Sequence, residues 1–191
     1  MATVFFISHP EVAVDPGRPV PLWSLSEKGA ARMASFAAAP TTAGVAAVWS
    51  SAETKAVEAA AILAEARGVA PRVHEPLHEN DRSATGFLPP PEFEAMADAF
   101  FGRPQESVRG WERAVDAQER IATAVDHVLA LTPGGDVAVV AHGGVGTLLL
   151  CRYLGEPIDR RRDQPFQGHW WSFDRATRRV LNAWTPIAPR L

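Results

Sequence analysis

Two apolar runs, Val4 to Ile7 and Val137 to Ala141, are continuous instead of alternating, and His9 and His142 stand where they end. A strand whose residues are apolar or β-branched toward both faces must be covered on both sides, which is the condition of a parallel sheet inside an α/β fold. Val45 to Trp49, closed by Ser50-Ser51, has the same character. Between these strands lie segments of helical pattern. Ser24 or Ser26 is placed to cap a helix through Ala30, Met33, Ala34 and Ala37 that Pro40 ends. Thr54 opens an Ala-rich helix through Val57, Ala60, Ile62 and Leu63, stopped by Gly68 and Pro71.

A short strand is expected near Val73, and a long amphipathic helix over Trp111 to Leu131, on the apolar positions Ala114, Ala117, Ile121, Val125, Val128 and Leu129. A further helix is expected from about Val145 to Tyr153. The segments HWWSFD and RRVLNAW flank a turn at Arg175-Ala176-Thr177 and read as a C-terminal hairpin at the sheet edge. Residues 76 to 110, rich in Pro, Phe, Asp and Glu, have weak periodicity and read as a cap-like insertion in a single domain spanning 1 to 191. The expected architecture is α/β and three-layered: a mostly parallel sheet with helices on both faces, joined by right-handed crossovers.

In such sheets ligands bind beyond the carboxyl ends of the strands. If the strands before His9 and His142 are parallel neighbours, both imidazoles leave the same edge and can meet. Gly143-Gly144 then stands between the strand and the following helix, where backbone N–H groups and the helix dipole favour an anion. The net charge of -3 gives no reason to expect nucleic acid or an anionic membrane surface as a partner, so any anion site must be local. Cys151 is the only cysteine, which excludes an internal disulfide and a cysteine cluster for zinc. With no signal-like N-terminus and no run able to span a bilayer, a cytoplasmic location is expected.

These residues resemble the histidine phosphatase superfamily, also called phosphoglycerate mutase-like. Ser8-His9-Pro10-Glu11-Val12 stands where the family has Arg-His-Gly-Glu-Thr; LSEKG at 25 to 29 is similar to its first helix start; SSAETKAVEAA at 50 to 60 is similar to its Ser-Ser-Pro-Leu-x-Arg-Ala segment. LHE at 77 to 79 is similar to its acidic segment, and VVAHGGV at 139 to 145 to its second histidine motif. The resemblance implies a metal-independent phosphatase with no cofactor. His9 would be the nucleophile that becomes phosphohistidine, His142 would stabilise the transferring oxygens, and Glu79 would serve as general acid and then as base for water. This division of labour suits the residue types: a neutral imidazole is a competent nucleophile, cationic groups hold phosphoryl oxygens, and a carboxyl moves the proton.

The departures are specific. Ser8 replaces the family's first arginine, Pro10 its glycine and Lys55 its second arginine; an ammonium holds phosphate as a point charge without the bidentate grip of a guanidinium. Of nineteen basic residues only Lys28 and Lys55 are lysine, so an ammonium at this position stands out. Arg82 and Arg18 are the candidates to replace the missing guanidinium, and Ser8, Lys55, Arg82, Gly143 and Arg18 form the expected substrate-binding set. The partner would be a small phosphorylated metabolite or a phosphoprotein. The alternative is a catalytically weak relative that binds a phosphorylated ligand or protein. Arg160 to Arg162 with Arg175, Arg178 and Arg179 read as charged loops and an exposed strand.

Overall fold

The computed structural model describes residues 2–189. Among the described residues six strands form one sheet in the order β3-β2-β4-β1-β5-β6. They are β1 (Thr3–Ser8), β2 (Val45–Ser50), β3 (Arg72–Val73), β4 (Asp136–Ala141), β5 (His169–Asp174) and β6 (Val180–Pro186). β1, β2, β3 and β4 run parallel, and β5 and β6 add an antiparallel hairpin at one edge. The α-helices of the described residues are α1 (Glu27–Ala38), α2 (Thr54–Arg67), α3 (Pro90–Gly102), α4 (Ala114–Ala130) and α5 (Gly143–Leu154). The fold is the three-layer α/β arrangement expected from the continuous apolar runs.

Strand alternation divides the core in two. Phe5, Ile7, Ala138 and Val140 face the layer of α1 and α2, whereas Val4, Phe6, Val137 and Val139 face the layer of α4 and α5. Each central strand therefore buries apolar side chains on both faces, the reason its sequence shows no polar alternation. The amphipathic stripe of α4 is buried as expected, including Ala114, Ala117, Ile121, Val125 and Val128.

The helical faces on the other layer differ from expectation. In α1, capped by the Ser26 side chain, the buried face comprises Gly29, Arg32, Met33, Phe36 and Ala37, while Ala34 is exposed. Arg32 is admitted because its Nη1 and Nη2 groups donate to Glu11 and to the carbonyls of Gln167, Gly168 and Ala188. In α2 the alanines Ala56, Ala59, Ala60 and Ala64 lie inward with Leu63, and Val57 is exposed. The helix approaches the sheet through its smallest side chains, so size is a poor guide to which face is inside.

Trp111 precedes α4 and packs with Phe93 and Phe100. The segment between β3 and α4 carries α3 and two 3-10 turns, and Met96, Phe100, Phe101 and Trp111 join the core on the α4 side. These aromatics thus hold the segment down. The helix α5 starts at Gly143, two residues before the expected Val145, because Glu79 satisfies its first amides. The arginine-rich stretches are individually paired: Arg160 with Glu94 and Asp98, Arg161 with Asp159, Arg162 with Glu156, and Arg178 with Asp126. Among the described residues no helix is long and apolar enough to cross a membrane.

Candidate active site

The register of the sheet builds the site. β1 and β4 pair with Ser8 opposite Ala141, so His9 and His142 leave adjacent strands at the same rung, and the His9 amide donates to the Ala141 carbonyl at 3.0 Å. Their ring centroids are 5.3 Å apart at an interplanar angle of 68°. β2 pairs on the other side of β4, and the Ser51 amide donates to the Val140 carbonyl at 3.2 Å. This carries Ser51 and the start of α2 to the same edge.

His9 Nδ1 lies 2.9 Å from the Pro10 carbonyl oxygen. A carbonyl can only accept, so Nδ1 carries the proton and Nε2 keeps its lone pair. Burial, with the nearby His142 and Lys55, holds the His9 pKa down to about 3, so the ring is neutral near pH 7. His142 is fully buried and its pKa is also lowered, chiefly by burial, although Glu53 and Glu79 pull in the opposite direction. Its Nε2 is 2.8 Å from Ser51 Oγ and 3.4 Å from Glu53 Oε1.

Glu79 reaches the site from the chain after β3, where the His74 amide donates to the Ser50 carbonyl and a 3-10 turn follows. Its carboxylate accepts from the Gly144 amide at 3.1 Å and the Val145 amide at 3.0 Å. The expected anion-attracting turn is thus occupied by the chain's own carboxylate. A Cβ at Gly144 would lie 2.7 Å from Glu79 Oε1, and one at Gly143 would lie 2.2 Å from Gln164 Nε2, so a side chain at either position would displace the end of Glu79 or Gln164 from its place. Burial alone would raise the Glu79 carboxyl, but Arg82, His142 and the Asn80 amide outweigh it and keep it below the usual carboxylate range.

Lys55 is buried at the start of α2, and its ammonium donates to the Val20 carbonyl at 2.9 Å and pairs with Glu53. Arg82 Nη2 is 3.9 Å from Glu79 Oε2, and its guanidinium lies over the rings of Phe93 and Trp111 at 5.1 and 5.5 Å. Ser8 is buried, and its hydroxyl donates to Gln164 Oε1 and accepts from the His169 amide at 3.1 Å, with no hydrogen bond to His9 or His142 among the described residues. Arg18 is exposed on the first loop, and among the described residues its guanidinium makes no hydrogen bond or ion pair to the site. The structure therefore brings together His9, His142, Glu79, Lys55, Arg82 and Gly143, and leaves Arg18 outside.

Three contributors escaped the sequence reading. Ser51 orients His142, Gln164 packs over Gly143 from a loop far along the chain, and Glu53 binds Lys55. Burial would raise the Glu53 carboxyl, but His142 and Lys55 prevail and hold it at about 2. Its sequence signal was present: an acidic residue in SSAETKA stands where the similar Ser-Ser-Pro-Leu-x-Arg-Ala segment has leucine. Among the described residues no group of three or more His, Cys, Asp or Glu side chains could hold a metal ion.

The chain matches solved structures along its length. YhfR of Bacillus stearothermophilus superposes with a TM-score of 0.81 at 22% identity, covering 100% of this chain and 99% of that one. A mycobacterial glucosyl-3-phosphoglycerate phosphatase superposes with a TM-score of 0.80 at 21% identity, covering 98% and 100%. The same mycobacterial phosphatase in complex with inorganic phosphate gives a TM-score of 0.75 at 20% identity, covering 97% and 95%. No curated protein matches significantly in sequence. These likenesses are of fold. Residues 20–184 match the sequence model of the histidine phosphatase superfamily (branch 1), and with this stretch covering most of the chain, the protein belongs to that family.

Proposed function

We propose that the protein is a phosphatase that hydrolyses a phosphomonoester through a phosphohistidine at His9. The single observation that carries this reading is the His9 tautomer: Nδ1 is tied to the Pro10 carbonyl, so Nε2 offers a lone pair beside His142. In the first half-reaction Nε2 forms a bond to phosphorus, the bond from phosphorus to the ester oxygen breaks, and the leaving oxygen takes a proton. In the second half-reaction water attacks the phosphohistidine, gives up a proton and releases inorganic phosphate and free His9.

Glu79 is placed for both proton transfers. Ionised in the free site, it accepts from α5 amides, and a phosphoryl group arriving beside it adds negative charge that raises its proton affinity. It is then able to deliver a proton to the leaving oxygen and later to receive one from water. Lys55, Arg82 and His142 supply the positive and donor groups around the transferring oxygens. Every step falls on a protein side chain, so the reaction asks for no metal. By analogy with the phosphatase neighbours, a small phosphorylated metabolite is the fitting substrate.

A second reading has its own support. Lys55 is already paired with Glu53, and Ser8 contributes no charge to the pocket, so a relative that binds a phosphorylated ligand with little turnover is also consistent with the site. Hydrolysis of an aryl phosphate in the presence of a chelator, by wild type and His9→Ala, separates them. Turnover abolished by the substitution supports the enzyme. Phosphate-dependent thermal stabilisation without turnover supports the binder.

A further inference from the structure

Glu53 is the feature of this site that its proposed chemistry does not use. The side chain emerges at the N-cap of α2 without capping the helix; instead its carboxylate accepts from the Glu79 amide at 3.1 Å, pairs with Lys55 and lies 3.4 Å from His142 Nε2. It therefore engages two of the groups assigned to hold the transferring oxygens. We propose that Glu53 is a specificity determinant, a carboxylate that competes with the ligand for Lys55 and restricts the pocket to singly charged phosphoryl groups. The inference rests on the phosphate-site reading above.

The charges around Glu53 come from every wall of the pocket: Lys55 from α2, Arg82 and Glu79 from the chain after β3, His142 from the end of β4 and His9 from the end of β1. Two cations face two carboxylates, and both imidazoles are neutral near pH 7, so the free pocket has no net charge. A dianion entering it meets two carboxylates whose side chains are only 11% and 12% exposed, where water screens their repulsion weakly. A monoanion carries one negative charge fewer and one O–H, which is able to donate to a carboxylate and turn a repulsive contact into a charge-assisted hydrogen bond. Two of the three Lys55 donors are taken by Glu53 and the Val20 carbonyl, which leaves one for the ligand. An ester phosphate has its second ionisation near pH ~6, so both forms are available under cellular conditions.

Inorganic phosphate and sulfate separate these cases, because sulfate is a tetrahedral dianion with no proton to offer. Titration calorimetry of the full chain with each anion at about pH 5.5 and about pH 8, for wild type and Glu53→Gln, tests the proposal. Wild type is expected to bind phosphate ~10-fold or more tighter than sulfate at the lower pH, and to lose phosphate affinity at the higher pH. Glu53→Gln keeps an acceptor for the Glu79 amide while removing the charge, and is expected to bind sulfate about tenfold more tightly and to narrow the preference. Equal binding of the two anions by wild type overturns the inference and leaves the phosphatase reading standing, whether or not the variant folds. A variant that binds phosphate with unchanged preference also overturns it. Wild type that binds neither anion overturns both.

Discussion

Glu79 lies against the first turn of α5 with its carboxylate 3.0 Å from the Val145 amide, so the residue assigned to move protons also caps a helix. Both tasks are served by one ionised group, and one substitution should disturb both. Glu79→Gln is expected to lower aryl phosphate hydrolysis by roughly 10²–10⁴-fold and stability by about 1–2 kcal/mol, read by kinetics and urea denaturation. Undiminished hydrolysis would remove Glu79 from the chemistry, and unchanged stability would remove it as a cap.

Arg82 is held over Phe93 and Trp111 on one side and beside Glu79 on the other, which makes it the guanidinium available to the pocket. Arg82→Ala is expected to lower turnover by roughly 10²–10³-fold, the cost of losing one preorganised donor to developing charge. Arg82→Lys should recover only part, since an ammonium lacks the planar fork. Activity of Arg82→Ala within about twofold of wild type would show that the pocket works without this group.

The pH dependence of stability follows from the depressed imidazole. His9 titrates at about 3 in the folded chain, against ~6.5 for an ordinary histidine, so between these values the unfolded chain binds the extra proton. Stability contributed by keeping His9 neutral is complete above ~6.5 and is lost progressively as pH falls toward about 3. Below ~4.3 the depressed carboxyls Glu53 and Glu79 add a second loss, because they remain ionised in the fold while the unfolded chain protonates. Urea midpoints across this range should fall steadily with acidification, and His9→Gln should flatten the upper part. Midpoints constant from about pH 7 to about pH 5 would contradict the assignment of a neutral His9 with a depressed pKa.

Arg32 joins α1 to the loop before β5 from a fully buried position, donating to Glu11 at 2.7 Å and to three carbonyls. Arg32→Ala leaves the half-buried Glu11 carboxylate and three carbonyls without their donor and empties a fully buried side-chain volume, and is expected to cost ~3–5 kcal/mol in urea denaturation. Arg32→Lys should cost nearly as much, because one ammonium cannot reproduce the spread of the guanidinium contacts. A loss below about 1 kcal/mol for Arg32→Ala would mean the network carries no stability.

The fold was largely readable because burial leaves a direct mark on sequence. Val4 to Ile7 and Val137 to Ala141 are apolar toward both faces, and their parallel pairing in register brings His9 and His142 to one edge. The faces of α1 and α2 were harder, since Arg32 is buried by partners distant in sequence and the alanines of α2 look alike on every side. Within the site, residues with a familiar neighbourhood were found and those acting through tertiary contact were not. Gln164 reaches Gly143 from a loop near β5, and Glu53 faces inward only because Lys55 and the Glu79 amide receive it. Arg18 shows the converse: a charge near the right motif, left exposed by the path of its loop.

The proposed reaction requires a covalent phosphoryl group on His9. Wild-type protein mixed with an aryl phosphate, quenched in alkali and mapped by mass spectrometry should show a phosphoryl group on the imidazole of His9, together with a burst of the aryl alcohol equal to the enzyme present. The adduct and burst should be absent from His9→Ala. A variant that hydrolyses the ester as fast as wild type, or a phosphoryl group mapped to another residue, would contradict it.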